Sequence, residues 1–401
     1  MSSFHGIGLM SGSSLDGLDI CYAEFTGDVD TDVWGYRILK TLTLPYTEEW
    51  LERLRNAHLL SGLDLIKLHV DYGRFLGETV DEFIDAEDAK PFFVASHGHT
   101  VFHQPERHVT FQLGEGETTA AYLHCPFVCN FRNKDIALGG QGAPLVPEGE
   151  RYLFSSVDIC VNLGGIANIS WRGQNGHDIC GCNAVLNMLA GKHGNFSHDV
   201  DGQIGKSGNV LENVLQELES LKYYTLPPPK SLGLEWIVEN VYPILDTNKY
   251  SIPDLLCTYS EHIAREVSKA CYAAQALPQP YFARKRSTGN RQIHLTVLVT
   301  GGGAFNKCVM DRLRDKLSQK NIVLADTDDE TVQFKEALLF AFLGLRCLLG
   351  QHNVSSSVTG SSMDSVSGSI HLPPKSAQTP LTPKRDRLSF GLRRQSSQDN
   401  V

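Results

Sequence analysis

A chain of 401 residues, 41% hydrophobic and 20% charged, is long enough for two domains, or one large one, with sizeable cores. A formal charge of −10 excludes a general nucleic-acid binder, and no apolar run reaches membrane-spanning length. Ten cysteines without a framework spacing exclude a disulfide scaffold and suit reduced thiols in the cytosol. The N-terminal Met-Ser-Ser-Phe-His, with neither a basic nor an apolar leader region, carries the same expectation.

The first element is a short apolar run over 5–10. A turn, Met10-Ser-Gly-Ser-Ser-Leu-Asp-Gly-Leu-Asp19, leads from it into a second run over 18–25. This reads as strand, turn, strand. Gly12 and Gly17, with the hydroxyls of Ser11, Ser13 and Ser14, let backbone N–H groups approach an anion. Asp16 and Asp19 can hold a hydrated Mg²⁺ beside it. Such a hairpin can grip a nucleoside triphosphate without a Walker lysine, although the same composition also makes an ordinary hairpin loop. Further strands are expected over 36–43, 92–96, 108–113 and 126–130. Helices are expected over 47–59 and about 63–86, the second with Leu65, Leu68, Tyr72, Leu76, Val80 and Phe83 on one stripe.

Midway, Val157–Leu163 and Ile166–Trp171 flank Gly164-Gly165 as a second strand–glycine–strand hairpin. A long helix follows over 253–276, opened by Pro253 and Asp254. Residues 283–294 read as a basic surface loop. Next come a buried strand (295–300), a glycine turn (Gly301, Gly302, Gly303), a helix over about 304–319 and a last apolar helix over 331–349. Strands, hairpins and helices alternate, so the class is α/β with mixed sheets. From Leu372 to Val401 six basic residues stand against two acidic ones, leaving the body at −14. This tail, rich in Pro, Ser and Gln, reads as disordered, with kinase-accessible sites at Arg393-Arg-Gln-Ser396, Thr379 and Thr382; a solvated tail without function fits equally.

Several clusters carry less than they suggest. His97, His99 and His103 have no Cys or acidic partner at a familiar zinc spacing, so they read as substrate-lining or internally satisfied histidines. Cys180-Gly-Cys182 is not a Cys-x-x-Cys pair, and Lys206 lacks the upstream glycine of a Walker site.

Three glycine turns in this order, each after an apolar strand, resemble the ATP-site plan shared by actin, hexokinase and the heat-shock ATPases. The resemblance becomes specific in longer blocks. They are Gly8–Asp19, Ser96-His-Gly-His-Thr-Val-Phe-His-Gln-Pro105, Phe131–Pro147, Asn162-Leu-Gly-Gly-Ile-Ala-Asn168, Pro229-Lys-Ser-Leu-Gly233, Gly301–Asn306 and Lys335-Glu-Ala-Leu-Leu-Phe-Ala341. Through them the chain resembles the anhydro-N-acetylmuramic acid kinase family from residue 6 to about 371. His177-Asp-Ile-Cys-Gly-Cys-Asn183 departs from the commonest family form: Gly181 replaces a proline and loosens the expected turn. Ser13 keeps the hydroxyl of a usual threonine, and Phe305 stands where many members carry a histidine.

The resemblance implies a two-lobed actin/hexokinase-like (ribonuclease H-like) ATPase fold with mixed sheets and a central cleft. Lobe I would be 1–128 and 337–371, and lobe II 129–336. It implies a cytosolic, ATP- and Mg²⁺-dependent kinase that opens a 1,6-anhydro bridge with water and phosphorylates O6, giving N-acetylmuramic acid 6-phosphate in cell-wall amino-sugar recycling. Asp178 would activate the water, and Glu336 would be a second carboxylate at the site. Arg132, with His97, Gln141 and Asn183, would bind substrate; a structural ion pair with Asp135 is the rival role for Arg132. Gly12, Ser13, Ser14, Asp16, Gly17, Asp19, Gly164, Gly165 and Gly301–Gly303 would hold ATP, with Asp16 and Asp19 reaching Mg²⁺ through water. Family members are often dimers. Open alternatives are a kinase of another anhydro-sugar such as levoglucosan, and an ATP-binding regulator with catalysis impaired.

Overall fold

The computed structural model describes residues 2–12, 15–28, 31–171, 174–194, 196–228, 230–276 and 294–374. Ser13, Ser14, Pro229, residues 283–293 of the expected basic loop and the tail from Lys375, with its expected phosphorylation sites, lie outside the described residues.

Two mixed sheets repeat one plan. In the first, β1 (Ser2–Ser11), β2 (Leu18–Asp28) and β3 (Val33–Leu44) form an antiparallel meander. The strands β4 (Phe93–Ser96) and β7 (Phe127–Cys129) add in parallel on the other side of β1. Between them in sequence, β5 (His99–Gln104) and β6 (Val109–Leu113) form a separate antiparallel pair. In the second sheet, β8 (Ile159–Leu163), β9 (Ile166–Trp171) and β10 (Gln174–Gly181) meander, and β11 (Leu295–Thr300) and β12 (Ile322–Leu324) add in parallel beside β8. The order is β13-β7-β4-β1-β2-β3 in one sheet and β10-β9-β8-β11-β12 in the other; β13 (Ser369–His371) closes the first edge. Each glycine hairpin thus holds the same place, between the first and second strands of its meander.

Each unit also inserts a long helix between its third and fourth strands: Gly62–Glu87 in the first, Ile252–Gln275 in the second. Both are capped as their sequences ask. Ser61 accepts from Asp64 N–H, and Ser251, just before Pro253, accepts from Asp254 N–H. The helix expected over 47–59 is instead broken at Asn56, into Glu48–Arg55 and a 3₁₀ turn, Ala57–Leu59. The one expected over 304–319 splits likewise. A 3₁₀ turn, Gly302–Phe305, precedes the helix Lys307–Ser318, because the Asn306 side chain accepts from Cys308 and Val309 N–H and restarts the ladder.

The helix Asp329–Leu348 ties the units together, and we term it the bridging helix. It is buried almost all round, as a helix wedged between two layers must be. Its core joins Phe25, Phe93 and Val128 of the first sheet to Cys160 and Leu298 of the second. On β1, Ile7 and Leu9 face the Gly62–Glu87 side, while Gly8 lies under the bridging helix. A Cβ on Gly8 would stand 1.9 Å from the Ala337 carbonyl oxygen, so this crossing requires glycine. The expected lobe limits at 128/129 and 336/337 fall inside β7 and the bridging helix. All ten cysteines are buried free thiols. Among the described residues no helix is long and apolar enough to cross a membrane.

Candidate active site

The bridging helix's first half meets the turn after β11, through Gly301 N–H on Val332 O, and the strands that flank both hairpins, through Asn162 and the charge of Asp19 on Glu336. In the first hairpin Gly12 accepts from Leu15 N–H at 3.3 Å, and Asp19 sits opposite Met10. Asp16 is exposed; Asp19 is half-buried and accepts from Thr43 Oγ1 at 2.5 Å. Burial pushes the Asp19 carboxyl up to about 6, and the nearby charges of Glu336 and Asp16 add to the shift against the Thr43 hydrogen bond. Asp16 and Asp19 lie close enough for Asp16 to raise the Asp19 carboxyl, and such a pair of carboxylates suits a hydrated cation. Among the described residues no three His, Cys, Asp or Glu side chains group closely enough to hold a metal ion directly.

The Asp19 shift has a consequence for stability. The native state holds this proton more tightly than the unfolded chain does. The resulting contribution is complete below about pH 4 and is lost as pH rises through about 6. Asp19→Asn therefore raises Tm at pH 7.5, and the gain closes toward pH 4; thermal unfolding across that range checks it.

In the second hairpin the carbonyls of Gly164 and Gly165 accept from the N–H groups of Asn183, Cys182 and Ala184, at the start of the helix Asn183–Gly194. The Asn183 amide donates to Leu163 O at 2.8 Å. That side chain frames the hairpin and lies against Gly302 and Gly303. Gly301 has φ +81° and ψ 166°, a conformation that belongs to glycine, and its N–H donates to Val332 O on the bridging helix. Phe305, beyond this turn, is exposed.

Strand register supplies what sequence spacing did not. Asn162 on β8 lies opposite Asn168 on β9, which lies opposite Asp178 on β10. Residues directly opposite share a face, so the three form one polar row. Asn162 Nδ2 donates to Glu336 Oε1 at 3.3 Å, carrying the row to the bridging helix. Asp178 and Glu336 therefore bracket one surface. Both asparagines are half-buried in strands whose other positions are mostly closed. A polar residue at one position of such a strand is the signal that the sequence carries for both.

The Asp178 block is not the loosened turn expected. It is the end of β10, with a bulge between Asp178 and Cys180 that re-aims the strand. Tyr223, Lys230 and Leu232 grip its backbone and side chain. Asp178 N–H donates to Lys230 O at 3.1 Å, Tyr223 Oη donates to the Asp178 carbonyl at 2.7 Å, and Leu232 N–H donates to Asp178 Oδ2 at 2.9 Å. Gly181 is enclosed by Tyr259, Ile237 and Val185. Burial raises the Asp178 carboxyl, opposed by the Leu232 N–H. Glu336 is raised by burial too, with Lys335 and Arg132 opposing.

Across the cleft, Arg132 makes no ion pair with Asp135. Asp135 is fully buried and accepts from Gly142 N–H and Thr359 Oγ1. Arg132 instead donates from Nε and Nη2 to His97 Nε2, at 3.1 and 2.7 Å, and from Nη1 to Gly142 O at 2.6 Å. His97 Nδ1 lies 2.8 Å from Gly98 O. The ring is therefore the Nδ1–H tautomer, neutral because burial and Arg132 hold its pKa well below the usual range. Burial holds Arg132 down to about 10, so it stays charged at neutral pH. His99 Nδ1 is 3.0 Å from Ser11 Oγ, which also accepts from Tyr46 Oη. Gln141 is exposed, its N–H on Thr359 O.

A family model described as anhydro-N-acetylmuramic acid kinase matches residues 5–373. Among curated relatives with that name, one from Paramagnetospirillum magneticum is 31% identical over 378 residues, covering 92% of this chain and 99% of its own. Another, from Sulfurimonas denitrificans, is 29% identical over 391 residues, covering 92% and 100%. Among solved structures, a ROK hexokinase from Thermus thermophilus overlays with a TM-score of 0.33 at 11% identity, covering 85% of this chain and 99% of that one.

Proposed function

Since the chain belongs to the anhydro-N-acetylmuramic acid kinase family, we propose that the cleft between its two sheets carries out the coupled hydrolysis and phosphorylation of 1,6-anhydro-N-acetylmuramic acid with ATP. The lobes are the two sheet units with their helices, and the hairpins at Gly12–Gly17 and Gly164–Gly165 take the phosphates from either side. Asp178 accepts a proton from water as its oxygen bonds to C1. The C1–O6 bond breaks, and O6 attacks the γ-phosphorus as the bond to the β-phosphate oxygen breaks. The products are the 6-phosphate and ADP. Glu336, held by Asn162, accepts a hydrogen bond from the sugar. Mg²⁺ neutralises phosphate charge when bound, and Asp16 and Asp19 suit its water shell.

Arg132 carries the choice of sugar. It is a half-buried guanidinium with no carboxylate at ion-pair distance among the described residues, and its head is fixed by His97 and Gly142. Three of its five N–H groups are used, leaving one on each terminal nitrogen for an anion. The lactyl carboxylate of a muramic sugar answers that charge, and levoglucosan has none. Arg132→Lys keeps the charge and loses the fork. It raises KM for the anhydromuramic sugar by about 10- to 100-fold and leaves KM for ATP unchanged in steady-state assays. The direct test is ADP release with 1,6-anhydro-N-acetylmuramic acid, levoglucosan or glucose. Selective turnover of the first supports the reading. Turnover of levoglucosan alone overturns the substrate, and none at all with ATP still bound favours a regulator.

A further inference from the structure

The reaction above leaves one buried pair of charges unused. Lys335 and Glu150 are each only 3% exposed, with Nζ 2.7 Å from Oε1. Ser170 on β9 donates to the second oxygen of Glu150. Three elements therefore meet at one point: the bridging helix, the helix Val146–Leu153 that carries Glu150, and β9. An apolar pair of similar volume would fill this space with no charges to desolvate, so packing alone does not account for the pair.

Its position does. Ser170 lies opposite Cys160, and Asn168 lies opposite Asn162. Each step is two residues along its strand, so Ser170 and Cys160 share the face of the polar row, about 7 Å further along. The bridging helix touches that face twice in consecutive residues. Lys335 reaches Ser170 through Glu150, and Glu336 reaches Asn162 directly.

We propose that Lys335 and Glu150 are positioning residues, and that their ion pair, anchored by Ser170, pins the bridging helix to β8 and β9 so that the Glu336 carboxylate stays on the Asn162–Asn168–Asp178 row. The inference rests on the kinase reading above. The pair also acts on charge. Lys335 and Arg132 favour the ionised form of Glu336, whereas burial and Glu150 oppose it, and Asp19 of β2 repels it across the cleft. Lys335 is the largest of the opposing influences on the upward shift, so removing both partners raises the Glu336 carboxyl further.

The test is the full-length double variant Glu150→Leu with Lys335→Met, which removes both charges and keeps apolar volume. It is expected to fold, to bind ATP as the wild type does, to lose about 10-fold or more in kcat, and to show the acid limb of kcat at higher pH. A folded double variant with wild-type kcat and pH profile overturns the proposal. Should it not fold, Ser170→Ala decides. That change leaves both charges and is expected to lower kcat about threefold with KM for ATP unchanged; wild-type kcat there overturns the proposal. Turnover by the wild-type protein is the control: its absence would count against the kinase reading, whereas loss confined to the variants bears on the ion pair.

Discussion

Asp178→Asn is expected to lower kcat by about 10²- to 10⁴-fold, the range for loss of a positioned general base. The structure makes this substitution clean. Asp178 is held through its own N–H, its own carbonyl and one carboxylate oxygen. The first two bonds are backbone and survive the change, and an asparagine oxygen still accepts from Leu232 N–H. The side chain then stays in place while the proton acceptor is lost. KM for ATP should be unchanged, because the nucleotide turns lie on other strands. In the wild type kcat should fall with acid as the carboxyl protonates. Burial raises its pKa, so that limb lies above the ordinary carboxylate range. A variant with unchanged kcat would remove Asp178 from the chemistry.

Gly301→Ala is the second large effect. At φ +81° and ψ 166° an alanine is strained, and its Cβ would lie 2.4 Å from Asn162 Oδ1 and 2.9 Å from the Leu163 carbonyl carbon. Strain and overpacking together predict a loss of about 2–4 kcal/mol in stability. The displaced group is Asn162, which holds Glu336. Urea unfolding and ATP titration should therefore both weaken, with kcat falling further than ATP affinity. Wild-type stability would show that the turn relaxes at no cost.

The hairpins were legible because their composition is their mechanism. Glycines and hydroxyls at a strand–turn–strand junction define both the turn and the anion site, and their strands end within a few residues of expectation. The rest of the site depends on partners distant in sequence. The Asp178 block reads locally as a turn, yet residues 45–54 positions later hold it in a bulged strand. The Asn162–Asn168–Asp178 row exists only once register is known. The contact of Glu336 with Asn162 follows only once its helix is seen wedged between two sheets. Arg132 beside Asp135 suggests an ion pair, but the buried Asp135 is already satisfied by Gly142 and Thr359.

The bridging helix also sets a timetable. Strand β1 is complete at Ser11, but the helix that covers its Gly8 face ends at Leu348, and β13, which closes the sheet edge, ends at His371. At about 5–20 residues per second, a ribosome needs roughly 20–70 s to make the intervening chain. From their synthesis until that helix emerges, Phe25, Phe93 and Val128 lack its cover. The second sheet has its last strand by Leu324, well before β13 closes the first, but its Cys160 and Leu298 wait for the same helix. A message truncated before Leu348 would release a chain with an open apolar sheet, a substrate for chaperones and for aggregation.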